Sequence, residues 1–392
     1  MKFAQRLAPL RSNVFADMDQ AKARAKAGGL DVIDLSLGSS DLPVEPHVLE
    51  AIAQSLPDAS THGYLLFHGT RPFRTAAANW YTQKFGIPVD PETEVLPLIG
   101  SQEGTAHLPL ALLDPGDFAL LTDPGYPSHI GGVLLAGGQM YPMTLREENG
   151  YLPVFTEIPM AVLEQSRMMV LSYPHNPTTA IASLSFFQSA VEFCQRHNLA
   201  LVHDFPYVDL IFDPTVHQTQ VAPSILQADP QKTVSIEFFS LSKSYNMGGF
   251  RVGYAIGNRE LILALRNIKA MVDFNQYQGI LQGAIAALTG PQGGVGRSTE
   301  VFRRRRDAFI QALSRIGWQV PIPRATMYIW AKLPSKWENR SLEFCTYLVE
   351  NTGVAVSPGA GFGKSGEGFV RFALVHEPEV LEHVVDRIAA VL

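Results

Sequence analysis

Lys243 lies in the run Ser240-Leu-Ser-Lys-Ser-Tyr-Asn-Met-Gly-Gly-Phe-Arg251, among small hydroxyl residues and eight positions before an arginine. The preceding segment, Ser235 to Phe239, is a β-prone apolar run able to hold this stretch rigidly. Desolvation and a neighbouring cation both lower a lysine's pKa and make it a usable amine nucleophile. Such an amine can form a Schiff base with an aldehyde cofactor. Ser240, Ser242 and Arg251 offer donors to an anion such as phosphate. The plain alternative is a surface lysine beside a glycine turn.

Other residues suit a ring-shaped, phosphorylated cofactor. Asp204 ends the apolar run Leu199-Ala-Leu-Val-His-Asp204, at the rim where α/β sheets bind ligands. Against a pyridine nitrogen it would hold that nitrogen protonated and make the ring an electron sink; its bland role is a helix cap. The apolar strand Val95 to Ile99 runs into Gly100-Ser101-Gln102 and a helix, which makes a ready anion site. Tyr126, just after the strand Phe118 to Thr122, can stack on a planar ring. Gly38 follows the strand Val32 to Leu37 and lets backbone approach a ligand. Arg371 sits inside the apolar strand Gly368 to Leu374, where it needs a carboxylate partner, substrate or structural. Pro358-Gly-Ala-Gly-Phe-Gly-Lys-Ser365 approaches a phosphate-loop pattern, but proline stands where the first glycine belongs. A nucleotide-triphosphate site is therefore rejected there.

The pattern S-x-S-K-x-Y-x-M-x-G-x-R-x-G resembles the cofactor-lysine motif of class I/II aminotransferases, pyridoxal 5′-phosphate enzymes of fold type I. Further matches fall in that family's order over nearly the whole chain. The resemblance makes Lys243 the cofactor lysine, Asp204 the partner of the ring nitrogen and Tyr207 a partner of the ring hydroxyl. Asn176, in Asn176-Pro-Thr-Thr179, would aim its amide at the same hydroxyl, although Thr179 stands where the family has glycine. Ser101 and Gln102 would bind phosphate, Tyr126 would stack on the ring, and Gly38 and Arg371 would meet the substrate carboxylate. Tyr64, five residues before Gly69, would serve the cofactor of a second subunit.

The resemblance implies an aminotransferase that moves an amino group between an L-amino acid and a 2-oxo acid such as 2-oxoglutarate by a ping-pong mechanism. The lysine segment looks closest to LL-diaminopimelate and aspartate-aminotransferase-like enzymes. Alternatives are another fold-type-I enzyme (a carbon–sulfur lyase or cyclopropane-forming synthase) and a non-catalytic cofactor-binding protein. No residue stands out as the reader of the substrate side chain.

These residues need a scaffold. Alternating strands and helices from Val95 to Leu288 imply a mostly parallel sheet covered on both faces. The expected fold is α/β, a seven-stranded-type sheet between helices plus a smaller α+β domain. With 392 residues, two domains are expected: 46–288 as the large one, 1–45 with 289–392 as the small one. Gly290 to Gly296 reads as a hinge or linker, and Arg303 to Arg306 as the solvated face of a helix.

A net charge of −6 argues against a broad nucleic-acid surface. Two distant cysteines, Cys194 and Cys345, give no metal-ligand spacing and fit a reducing cytoplasm. No apolar run reaches the roughly 18 residues of a membrane span. The expected partners are small amino and oxo acids and a second copy of the chain, with no metal, nucleic acid or membrane.

Overall fold

The computed structural model describes residues 1, 3–10, 14–212 and 221–392. Helix α1 (Val14–Ala27) and the short strand β1 (Ile33–Asp34) come first, then α2 (Pro46–Ser55) and α3 (Arg71–Phe85). Strands and helices then alternate as β2 (Val95–Leu98), α4 (Ser101–Leu112), β3 (Phe118–Asp123), α5 (Pro127–Ala136) and β4 (Gln139–Thr144). They continue as α6 (Met160–Leu163), β5 (Ser166–Leu171), α7 (Leu184–His197), β6 (Ala200–Asp204) and β7 (Ser235–Ser240). Next come α8 (Leu241–Ser244), β8 (Gly253–Gly257) and α9 (Arg259–Val272). The C-terminal part holds α10 (Gln278–Thr289), α11 (Gly293–Arg315), β9 (Tyr328–Lys332) and α12 (Ser341–Thr352). It closes with β10 (Val354–Ala355), β11 (Ser357–Pro358), β12 (Phe369–Ala373) and α13 (Pro378–Ala389).

The seven-stranded sheet has the order β2-β8-β7-β6-β5-β3-β4, and only β8 runs antiparallel to its neighbours. Side chains alternate across a strand, so each strand feeds both faces. Leu201, Met169 and Phe239 enter one apolar cluster, while Val202, Val170 and Phe238 enter another. Burial on both faces explains why these strands read as near-continuous apolar runs. Helix α7 shows how the covering layer forms. Ser183 caps its first turn by accepting from Phe186 N–H, Asn198 ends it with φ 53°, and Phe187, Ala190, Val191 and Cys194 bury one stripe.

A third cluster gathers Met18 of α1, Phe302 and Phe309 of α11, Phe344 and Leu348 of α12, and Phe372 of β12. Strand β12 lies between β11 and β9, antiparallel to both.

Two expectations are corrected here. The glycine-rich stretch from 290 to 296 is no linker, because α11 already begins at Gly293. The Gln292 side chain braces the joint by donating to the Ala287 and Gly290 carbonyls, and a Cβ at Gly294 would lie 2.7 Å from Glu45 Cδ. Nor is Arg303–Arg306 one solvated face. At about 100° per residue, Arg303 and Arg305 point to opposite sides of the helix. Arg303 is half-buried and pairs with the exposed Glu300 and Asp307. Arg305 is fully buried, gripping Asp41 with two bonds of 2.7 and 2.8 Å and Glu377 with one of 2.5 Å.

Candidate active site

The parallel strands all end on one side, and the loops leaving those ends enclose a cavity of about 690 Å³. Every candidate site residue named from the sequence lines it except Tyr64. Strand β2 leads into Gly100, whose φ of 76° turns the chain into α4 and presents Ser101 and Gln102. A Cβ at Gly100 would overlap the Arg251 guanidinium, so glycine lets Arg251 close against the start of α4. Strand β7 ends at Ser240, whose side chain caps α8 by accepting from Ser242 N–H at 3.2 Å. That short turn carries Lys243 into the cavity.

Lys243 Nζ donates to the Gly38 carbonyl. Burial lowers its pKa below the usual lysine value, and the nearby Arg371 and Arg251 charges push the same way against the opposing pull of Tyr328. Asp204 is buried at the end of β6, and no helix follows it, which removes the helix-cap alternative. Its Oδ2 lies 3.0 Å from His129 Nε2, whereas its buried Oδ1 has no protein partner.

Arg371 donates to Asn176 Oδ1 at 2.9 Å, to the Ser36 carbonyl at 2.7 Å and to Ser357 Oγ at 3.3 Å. Among the described residues these partners include no carboxylate, so a structural ion pair does not account for it. Its buried Nε is unpartnered, and the guanidinium lies 4.3 Å above the Tyr328 ring and 4.7 Å from the Phe362 ring centre. With Oδ1 accepting from Arg371, the Asn176 amide keeps its N–H groups for another acceptor. Thr179, in the same turn, takes φ 65°, the left-handed conformation that a glycine would adopt freely.

Three contributors escaped the sequence reading. His129 stands in the first turn of α5, shortly after Tyr126, and backs Asp204. Tyr328 opens β9, and its hydroxyl is 2.8 Å from that of Tyr207. Burial raises the Tyr207 phenol well above its ordinary value. Burial also works against ionising Tyr328, but the Lys243 and Arg371 charges and the Tyr207 hydroxyl outweigh it and lower that pKa. Ser36 supplies only a backbone carbonyl, which no residue type announces.

Tyr64 lies outside the cavity, 86% exposed, with its ring 5.3 Å from that of Phe274.

The comparisons with known proteins add to this geometry. Residues 31–388 match the family described as aminotransferase class I and II. This chain belongs to that family. An LL-diaminopimelate aminotransferase of Dehalococcoides mccartyi is 42% identical over 99% of this aminotransferase and 98% of its own length. Substrate-bound BacF of Bacillus subtilis superposes with a TM-score of 0.94 at 36% identity, covering 100% of this chain and 98% of that one. A probable N-succinyldiaminopimelate aminotransferase of Thermus thermophilus gives 0.90 at 42% identity, covering 97% and 100%. The expected pyridoxal 5′-phosphate enzyme of fold type I is thereby borne out. The aminotransferase's cavity fits that cofactor. The orphaned Asp204 Oδ1 suits a ring N–H, Lys243 offers a partly buried amine, and Arg251 with the start of α4 offers donors to a phosphate.

Proposed function

We propose that this aminotransferase takes LL-diaminopimelate as its amino donor and 2-oxoglutarate as acceptor, with the residues gathered in the cavity performing the chemistry. The observation that carries the substrate reading is the run of relatives bearing that name at 40–42% identity over 99–100% of this chain. A second reading, an N-succinylated donor, is favoured by the Thermus thermophilus neighbour. The cavity rim supports the first. Asp19, Lys22 and Asp34 line it, two carboxylates around one ammonium. Lys22 neutralises Asp34, so it is the exposed Asp19 carboxylate that favours a distal ammonium over the extra carboxylate of a succinyl group.

Bound pyridoxal 5′-phosphate supplies an aldehyde and an electron-withdrawing ring. Ser240, Ser242, Arg251 and the N–H groups around Ser101 and Gln102 hold its phosphate, while Tyr126 packs on the ring face. Asp204 Oδ1 accepts from the ring nitrogen and keeps the proton there, oriented by His129. Tyr207 and Asn176 donate to the ring hydroxyl. Arg371 grips the substrate α-carboxylate with the N–H groups it has left after Asn176, Ser36 and Ser357, beside the Gly38 backbone. Lys243 Nζ, its pKa lowered, would take the proton from the substrate α carbon and hand it to the carbon that was the cofactor's aldehyde, two bonds away across the nitrogen.

The exposed Tyr64 ring packs on exposed Phe274, and exposed Leu66, Met271 and Val272 adjoin these two in sequence, which supports a homodimer in which Tyr64 completes the partner's phosphate site. The large domain is assigned to 46–288 and the small one to 1–45 with 289–392, supported by the separate cluster around α11–α13. Removing the cofactor should speed amide exchange mainly within 46–288; a uniform change would count against that division. No helix among the described residues is long and apolar enough to cross a membrane, and two buried free cysteines support a cytoplasmic home, checked by cell fractionation.

The decisive assay screens purified enzyme with 2-oxoglutarate against LL-diaminopimelate, its N-succinyl derivative, aspartate, alanine and phenylalanine. The highest kcat/KM is expected for LL-diaminopimelate. A preference for any other donor refutes the substrate reading while leaving the aminotransferase reaction in place.

A further inference from the structure

Two of the cavity's cations, Lys243 and Arg371, donate to backbone carbonyls of one short turn, Gly38 and Ser36 respectively. That turn follows β1, which is anchored by parallel pairing with β10 and by the Leu35 N–H donating to the Ala355 carbonyl at 2.8 Å. Past Leu35 the regular ladder stops, and Leu37 is exposed. What holds Ser36 there is Asp34. Its Oδ1 accepts from Ser36 N–H at 2.8 Å and from Ser36 Oγ at 2.6 Å. Its Oδ2 accepts from Lys22 Nζ of α1 at 3.1 Å, and Lys22 is also paired with Asp19 at 2.7 Å. Burial opposes both charges, but hydrogen bonds win: those from Ser36 and then Lys22 lower Asp34, those to Asp19 and then Asp34 raise Lys22, and both stay ionised at neutral pH.

We propose that Asp34, held by Lys22, is a positioning residue for substrate-carboxylate binding. It fixes the Ser36 peptide so that its carbonyl aims the Arg371 guanidinium at the substrate. Ser357 Oγ donates to the same carbonyl at 2.8 Å and touches Arg371 at 3.3 Å, so the carbonyl is the junction through which the order passes. Both oxygens of Asp34 are already committed within the protein. It therefore acts through Arg371 rather than on the substrate. Every amino or oxo acid presents the same α-carboxylate, so the effect must be uniform across side chains. The proposal rests on the reading of Arg371 as the carboxylate ligand.

The test uses the cofactor-loaded enzyme and five variants: Asp34→Asn, Asp34→Glu, Lys22→Met, Arg371→Lys and the double Asp34→Asn/Arg371→Lys. Loss of a charge-assisted bond to the turn should raise KM for LL-diaminopimelate, alanine and 2-oxoglutarate alike by roughly five- to thirty-fold in Asp34→Asn, with kcat within about two-fold. Lys22→Met should do the same more weakly, Asp34→Glu should recover part of the loss, and cofactor absorbance should be unchanged. The double variant should fall short of the product of the single effects, because both act on one contact. If Arg371→Lys raises KM and Asp34→Asn does not, the positioning role is wrong and the Arg371 reading stands. If neither raises it, the Arg371 reading itself fails. A rise confined to donors with a second charged end, or a fully multiplicative double variant, also overturns the proposal. Lys22→Met and Asp34→Glu keep it open to refutation should Asp34→Asn not fold.

Discussion

Gly38→Ala is the sharpest single-atom test of how this cavity is assembled. An added Cβ would overlap the Tyr328 hydroxyl and lie 2.6 Å from the ring Cζ, closer than real Cβ contacts come. Something must move. If Tyr328 swings away, the 2.8 Å bond to Tyr207 is lost, about 0.5–1.5 kcal/mol, and the ring leaves the Arg371 guanidinium, about 0.5–2 kcal/mol. If the turn moves instead, the Gly38 and Ser36 carbonyls leave Lys243 and Arg371. Either route gives about 1–3 kcal/mol, so binding in the cavity should weaken by about 5- to 150-fold. The assays are cofactor affinity by fluorescence titration and KM for 2-oxoglutarate. Adding Tyr328→Phe removes the overlapping hydroxyl and leaves the ring carbon, so the double variant should recover part of the loss. Wild-type affinity and KM in Gly38→Ala would refute the claim that Tyr328 and the turn are locked together.

Three further outcomes are expected. Arg305→Ala should destabilise by about 2–4 kcal/mol and lower Tm by several degrees, because a buried guanidinium leaves a cavity between Asp41 and Glu377; Arg303→Ala, with exposed partners, should stay within about 0.5 kcal/mol, and equal Tm shifts would contradict the assignment of the two faces. In the cofactor-free chain, the lowered pKa makes Lys243 a neutral amine at lower pH than an ordinary lysine of 10.5; the rate of pyridoxal 5′-phosphate incorporation should rise with pH to a half-maximum below that value, and Arg371→Gln, which removes a depressing charge, should move it upward. Lys243→Ala and Tyr64→Glu chains, each inactive alone, should regain about a quarter of wild-type sites when mixed and allowed to exchange, since about half the dimers are hybrids; no recovery after exchange is confirmed by mass would rule out a shared site.

The large sheet was legible because its strands other than the edge strand β4 are short buried runs that stop at a glycine, a proline or a polar turn. Met168 to Leu171 and Leu201 to Asp204 are such runs. The lysine turn, Asp204 and Asn176 were legible for a different reason. Each is a side chain at a strand end within a contiguous pattern. His129, Tyr328 and the Ser36 carbonyl carry no such pattern, since their meaning comes from which element packs beside them. The arginine run was misjudged because charge was counted along the chain instead of around the helix. Two of its four members face inward, where Arg305 meets Asp41 and Arg306 donates to the Pro323 carbonyl at 2.9 Å.

The charge layout of the cavity explains why anion binding and base activation need no separate devices. In a chain of net charge −6, Lys243, Arg251 and Arg371 line one pocket whose buried anion is Asp204. Arg251 closes on the glycine turn before α4, where a phosphate would gain both guanidinium and backbone donors. Arg371 is the proposed ligand of the substrate α-carboxylate. These two arginines also act on Lys243, adding their repulsion to the effect of burial and favouring its neutral form. On the proposed roles, the cations that recruit two anionic groups are thus the ones that free a lysine to accept a proton. Removing either arginine should therefore weaken binding and raise the Lys243 pKa together, a coupling that a purely steric role for Arg251 or Arg371 would not produce.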